Sequence, residues 1–169
     1  MSQDALIETE RLRLRTMTRD DLDELVRLQG DPEVSRFMGR PSREWLEGWM
    51  RSSQAEWEER GHGRVAIMGR ESGEFLGRTG LKYWPQFEET EIGWALHAEA
   101  RGKGYATEAA RAVLRWGFKR FGNLPLITAM VQPENAASIA VAKRLGMSPL
   151  RDDKLLGDAV TVYAIRRDA

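Results

Sequence analysis

The sequence predicts a mixed α/β fold of the α+β kind, with a largely antiparallel sheet flanked by helices. Three observations predict it. Strand-like and helix-like periodicities follow one another along the 169 residues, and two adjacent strand candidates are joined by the turn sequence Glu71-Ser72-Gly73-Glu74. Hairpins of this kind outnumber the crossovers that the helices could supply. No linker, repeat or low-complexity stretch divides the chain, so one domain over residues 1–169 is expected.

Ala5 to Arg15 alternates in its second half, with Leu12 and Leu14 set between Arg11, Arg13 and Arg15, as a half-buried strand does. Thr18, followed by Asp20 and Asp21, reads as a cap for a helix that carries Leu22, Leu25, Val26 and Leu28 and ends near Gly30. Ser42 begins a second helix, with Trp45, Leu46, Trp49, Met50 and Trp57 on one side and a stop at Gly61. Its tryptophans are either a core stripe or a wall for a substrate. Arg64 to Gly69, Phe75 to Trp84 and Thr90 to Ala98 are strand candidates. Helical spacing returns from Gly104 to Phe121 and closes at Gly122, and Leu126 to Val131 is again a strand. Asn135 caps a short helix through Leu145, and Met147 to Leu150 and Ala159 to Ile165 are the last strands expected.

Composition excludes several functions. There is no cysteine, which removes thiol nucleophiles, thiolate zinc sites and iron–sulfur ligation and fits a reducing cytoplasm. Two histidines, His62 and His97, leave little for a metal, so none is expected. His62, between two glycines, reads as loop, and His97 reads as a packing or surface residue rather than a base. No apolar run approaches the roughly 20 residues that span a bilayer, and the start of the chain lacks a leader pattern. Twenty-six basic residues balance 26 acidic ones, which argues against nucleic-acid affinity. The charge is uneven, however: Arg101, Lys103, Arg111, Arg115, Lys119 and Arg120 face Glu108 alone, and Glu88, Glu89 and Glu91 lie upstream.

Arg101-Gly102-Lys103-Gly104-Tyr105-Ala106 stands between a strand and the long helix. A helix start offers unpaired N–H groups and partial positive charge, and glycines clear side chains from an approaching anion. A pyrophosphate suits that place. Thr107 stands where a dinucleotide fingerprint needs a third glycine, and no phosphate-loop Gly-Lys-Ser/Thr occurs.

Arg101, Gly104 and Ala106 match the Q/R-x-x-G-x-G/A signature, and the chain resembles the GNAT superfamily of N-acetyltransferases over nearly its whole length. Glu91-Ile92-Gly93-Trp94, Gly102 to Ala109, Asn135-Ala136-Ala137-Ser138 and Lys143 to Met147 are similar to its RimJ/RimL-type branch. The resemblance implies acetyl-CoA as donor, with its pyrophosphate on the amides of Gly102 to Ala106, Arg101 and Lys103 near it, and Thr107 donating a hydroxyl. It implies two splayed parallel strands, Thr90 to Ala98 and Leu126 to Val131, with the pantetheine arm in the gap. Backbone at Trp94, Ala95 and Leu96 would hold that arm and polarise the thioester, with Tyr105 in the cradle, Asn135 opposite and Ser138 near the sulfur. Many members carry a tyrosine seven residues after the asparagine; Ala142 stands there, which leaves Ser138, a water or Tyr163 to protonate the thiolate.

The attacking amine must be neutral. Deprotonating a lysine-like amine at pH 7 costs roughly 4.6 kcal/mol, against about 1 kcal/mol for an α-amine. Glu91 is the candidate base, directly or through a water, with Glu88 or Glu89 assisting recognition of a cation. The expected activity is acetyl transfer to a primary amine, either a protein N-terminus or a small molecule, without a covalent enzyme intermediate. The alternative is an acyl-CoA-binding sensor without turnover. A homodimer through an exposed part of the tryptophan stripe stays open, and no nucleic-acid or membrane partner is expected.

Overall fold

Alternation and turn chemistry produce one eight-stranded sheet in the computed structural model, which describes residues 5–168. Residues 1–4, on which part of the leader reading falls, and residue 169 lie outside the described residues.

Ile7–Glu8 (β1) and Leu12–Thr16 (β2) form a hairpin where a continuous strand from Ala5 to Arg15 is expected. The Thr9 N–H donates to Leu12 O (2.9 Å) and the Leu12 N–H donates back to Thr9 Oγ1 (3.1 Å), which turns the chain at Glu10-Arg11. After Thr18 a single 3-10 turn, Arg19–Asp21, precedes α1 (Leu22–Gly30); Asp21 accepts the Thr18 N–H at 2.9 Å and is gripped by Arg15.

A helix that periodicity does not predict follows, α2 (Pro32–Met38). Asp31 caps it by accepting the Glu33 N–H at 2.9 Å, and Pro32 stands in the first turn, where its missing N–H costs nothing. Seven residues with one buried apolar side chain, Val34, are too few to show a period. Then α3 (Arg43–Arg60) starts as expected, with Ser42 Oγ accepting the Trp45 N–H at 3.1 Å.

The middle of the chain follows expectation within a few residues: β3 (Arg64–Gly69), β4 (Phe75–Trp84), β5 (Glu89–Leu96), α4 (Tyr105–Arg120), β6 (Leu126–Val131) and α5 (Ala136–Arg144). Past Leu96 the chain leaves the sheet in a 3-10 turn, Ala98–Ala100, so β5 stops short of Ala98. The last hairpin, β7 (Ser148–Leu155) with β8 (Asp158–Arg166), is longer than expected. As an edge strand paired on one side only, β7 needs no apolar alternation and carries Arg151, Asp152, Asp153 and Lys154 in sequence.

Strand order is β1-β2-β3-β4-β5-β6-β8-β7, and every pairing is antiparallel except β5 with β6. That pair meets at a single register position, Glu91 opposite Thr128, and the two strands part beyond it. On one face of the sheet α4 and α5 bury Val113, Leu114, Val141 and Leu145 against Leu12, Leu14, Ile67, Leu81, Ile92 and Ile127. On the other, α1, α2 and α3 bury Leu25, Leu28, Val34, Leu46 and Met50 against Ala66, Phe75 and Ala95. The parted strands therefore open a passage through the middle layer.

Candidate active site

The loop before α4 is built as a donor cradle. Gly102 (φ +76°) and Gly104 (φ +81°) hold left-handed backbone conformations that side-chain-bearing residues avoid. Among the described residues none of the N–H groups from Gly102 to Thr107 donates within the protein, and the α4 ladder begins with the Glu108 N–H to Gly104 O at 3.0 Å. Gly102 and Gly104, with Tyr105, Ala106 and buried Thr107, line a cavity of about 860 Å³ between α4 and α5.

The charges around it are only partly those expected. Arg101 lines the cavity, but its guanidinium is committed to Asp31 (2.7 Å) and Leu96 O (3.3 Å), so it ties the cradle to α2 and β5. Arg11, at the tip of the first hairpin, joins the cradle although its place in the sequence does not point there: it donates to Lys103 O (2.8 Å) and Glu108 (2.7 Å) and lies 4.5 Å over the Tyr105 ring. Burial pushes the Glu108 carboxyl up, but hydrogen bonds from Thr9 and from the Arg11 side chain and backbone outweigh it and hold the group below its ordinary range. Arg111, Arg115 and Arg144 add cations to the wall.

Trp94, Ala95 and Leu96 follow the point where β5 leaves β6, and they line the same cavity. Asn135 caps α5, its Oδ1 accepting the Ser138 N–H at 3.2 Å, while its amide nitrogen has no partner among the described residues. The Trp94 indole N–H donates to Ser138 Oγ at 3.3 Å, which leaves the serine proton free to be donated. Ala142 is fully buried and Tyr163 is packed into the core, so neither reaches the cavity.

A second cavity of about 810 Å³ lies on the α3 side of the sheet and shares Phe37, Met38, Trp94, Asn135 and Ser138 with the first. The two meet where the strands part. Glu91 lines this second cavity at 6% exposure; Oε1 accepts the Trp84 indole N–H (2.8 Å), Oε2 accepts the Met130 N–H (3.3 Å), and Arg64 is 3.6 Å away. The expectation that Glu88 or Glu89 assists there fails, because Glu89 is clamped by Arg151 through two bonds of 2.7 Å and neither residue lines the cavity. The tryptophan stripe divides: Trp57 packs on Trp116 in the core and donates to Arg64 O, while Trp45 and Trp49 wall the second cavity together with Trp84 and Trp94.

The histidines take no part. His97 is buried against Phe75 with Nε2 2.8 Å from Glu24, and His62, in its loop, is 3.0 Å from Glu56. No metal-binding group of His, Cys, Asp and Glu occurs among the described residues, and none of the described helices is long and apolar enough to cross a membrane.

Comparison with known proteins agrees with this geometry. Residues 11–148 match the family model described as the acetyltransferase (GNAT) domain. The chain is 32% identical to the uncharacterized N-acetyltransferase p20 of Bacillus licheniformis, over 92% of this chain and 91% of that protein. Its structure superposes on an acetyltransferase from Agrobacterium tumefaciens with a TM-score of 0.84 and 33% identity, covering 98% of this chain and 96% of that one. At 19% identity, where fold alone is compared, it matches a Salmonella typhimurium acetyltransferase that modifies the N-terminal serine of ribosomal protein L7/L12, with a TM-score of 0.80 over 96% and 99% of the two chains. The chain belongs to the GNAT acetyltransferases.

Proposed function

We propose that the chain is a single acetyltransferase domain of the RimJ/RimL type that moves acetyl from acetyl-CoA to a primary amine by direct attack. The observation that carries this reading is the meeting of two cavities at Trp94, Asn135 and Ser138: a cation-rimmed cradle on one side of the parted strands and a tryptophan-walled chamber on the other. The cysteine-free composition suits a reducing compartment, and a cytoplasmic location is part of the proposal.

Bound acetyl-CoA supplies an acyl thioester. The amides of Gly102, Lys103, Gly104, Tyr105 and Ala106 receive its diphosphate, with Thr107 adding a hydroxyl and Lys103 adding positive potential, while Arg101 and Arg11, paired with Asp31 and Glu108, hold the loop in place. The backbone of Trp94, Ala95 and Leu96 pairs with the pantetheine arm as a neighbouring strand would, and an N–H there polarises the acyl carbonyl. Asn135 holds the arm from the other side. Ser138, its oxygen already satisfied by Trp94, donates its proton to the departing sulfur. Glu91 is the proton acceptor, working through a water because both its oxygens are engaged.

Release of free thiol from acetyl-CoA in the presence of a panel of amines and peptides, with products weighed by mass spectrometry, tests the proposal. Acetylated amine is expected; coenzyme binding without turnover of any amine would point to a sensor instead.

A further inference from the structure

The sheet face beneath α3 is where apolar side chains belong, and in this protein it carries charge. In register, Ala66 stands beside Arg78, Arg64 beside Gly80 and Lys82 beside Glu91, so Arg64, Arg78, Lys82 and Glu91 rise on one face, and all four line the tryptophan-walled chamber. Three of them have partners. Arg64 donates to Gly80 O at 2.9 Å and faces Glu91, while Lys82 is 3.9 Å from Glu56 and 4.8 Å over the Trp84 ring.

Arg78 has none. It is 5% exposed, no carboxylate among the described residues lies within ion-pair distance, and its polar contact is with Met38 Sδ at 3.5 Å. Its guanidinium lies 4.9 Å over the Trp49 ring. Burial, with Arg64 adding repulsion that outweighs the attraction of Glu91, pushes its pKa down to about 9, so it still carries its charge at neutral pH. The Nε of Arg64 on the same wall is buried without a hydrogen-bond partner. A buried guanidinium is costly unless an anion pairs with it, and its fork of donors fits a carboxylate in particular.

We propose that the acceptor is an amine that also bears a carboxylate, which Arg78 binds, while the body of the acceptor lies against Trp45 and Trp49. This rests on the reading that the chamber takes the acceptor. Of the three cations on this face, Arg64 is met by Glu91 and Lys82 by Glu56, and Asp158 also lines the chamber, so the charge of Arg78 is the one left for the acceptor to meet. The carboxylate belongs either to a free amino acid or to an acidic side chain near a peptide N-terminus, and the chemistry at Arg78 is shared.

The test compares matched acceptors: free amino acids with their carboxamides, peptides carrying Asp at the second position with the same peptides carrying Asn, and spermidine. Thiol release is followed in wild type, Arg78→Gln and Arg78→Lys, and binding to the CoA-saturated protein is followed by tryptophan fluorescence. The acid member of one pair is expected to lead by about tenfold or more in kcat/KM. Arg78→Gln should abolish that lead and Arg78→Lys should keep part of it, with KM for acetyl-CoA unchanged; which pair leads identifies the source of the carboxylate. If no amine is turned over, the transferase reading fails, yet a binding preference for the acids that Arg78→Gln removes still supports the charge pairing. Equal binding of acids and amides, preference for spermidine, or an unchanged preference in a folded Arg78→Gln protein overturns it. Should Arg78→Gln fail to fold, the wild-type ratio and Arg78→Lys decide.

Discussion

Glu91 accepts the backbone N–H of Met130 across the gap between β5 and β6, at 3.3 Å, beside the one register position where these parallel strands meet. A side-chain oxygen thus takes the place that a strand carbonyl would occupy if pairing continued. One carboxylate both ends the ladder and faces the chamber, with Trp84 and Arg64 fixing its orientation.

Glu91→Gln separates those two roles. The amide oxygen can still accept from Met130, so acetyl-CoA affinity should stay within about threefold of wild type, while kcat falls about 10²-fold or more through loss of the proton acceptor. Stopped-flow binding and steady-state thiol release measure the two. An unchanged kcat would remove Glu91 from the chemistry.

Gly104→Val should weaken acetyl-CoA binding by about tenfold or more while leaving the protein folded. The φ of +81° imposes about 1–2 kcal/mol of strain on valine, and the new Cβ would meet Arg11 Nη2 at 3.4 Å, the movable end of a side chain. Isothermal titration beside a thermal melt gives both numbers. Equal affinity in a folded variant would mean that these amides do not hold the coenzyme.

The cradle is legible in sequence because its signals are local: two glycines, a helix start and a run of cations within a few residues. The chamber is not, because its walls come from α1, α2, α3, α5 and every strand from β3 to β8. Arg78 and Arg64 could have drawn attention as charges within otherwise apolar strands, whereas nothing in the sequence shows that Asp31 neutralises Arg101 or that Arg151 engages Glu89. Asp31-Pro32 does carry a cap-and-proline start signal, but the seven residues of its helix are too few for periodicity to show. The tryptophan stripe permits both of its readings from sequence because α3 sets Trp45 and Trp49 on the chamber wall and Trp57 against Trp116 in the core.

That division gives a contrast between two aromatic truncations on one helix. Trp57→Ala should lose about 3 kcal/mol of stability, since its ring packs on Trp116 at 5.8 Å between centroids and its N–H donates to Arg64 O. Trp49→Ala, whose ring only partly packs on the core, should cost less and raise acceptor KM, with acetyl-CoA KM unchanged. Urea unfolding and initial-rate kinetics distinguish the two, and equal stability losses would contradict the division.

Glu108 ties the first hairpin to α4, and its carboxyl titrates below the ordinary range in the folded protein. A lowered folded pKa stabilises above the unfolded value, about 4.3, and that contribution fades as pH falls through the folded value. Glu108→Gln should therefore cost about 1 kcal/mol at pH 7, screened because Arg11 is partly exposed, and less near pH 3. Denaturant curves at the two pH values read the difference; a loss that grows on acidification would contradict the sign.

The most direct measurement is a crystal structure of the protein with CoA. The diphosphate should lie on the N–H groups of Gly102 to Ala106, with the pantetheine arm running along Trp94, Ala95 and Leu96 between β5 and β6 and its sulfur beside Ser138. A nucleotide bound away from that loop, or an arm that leaves the gap between the two strands empty, would contradict the account.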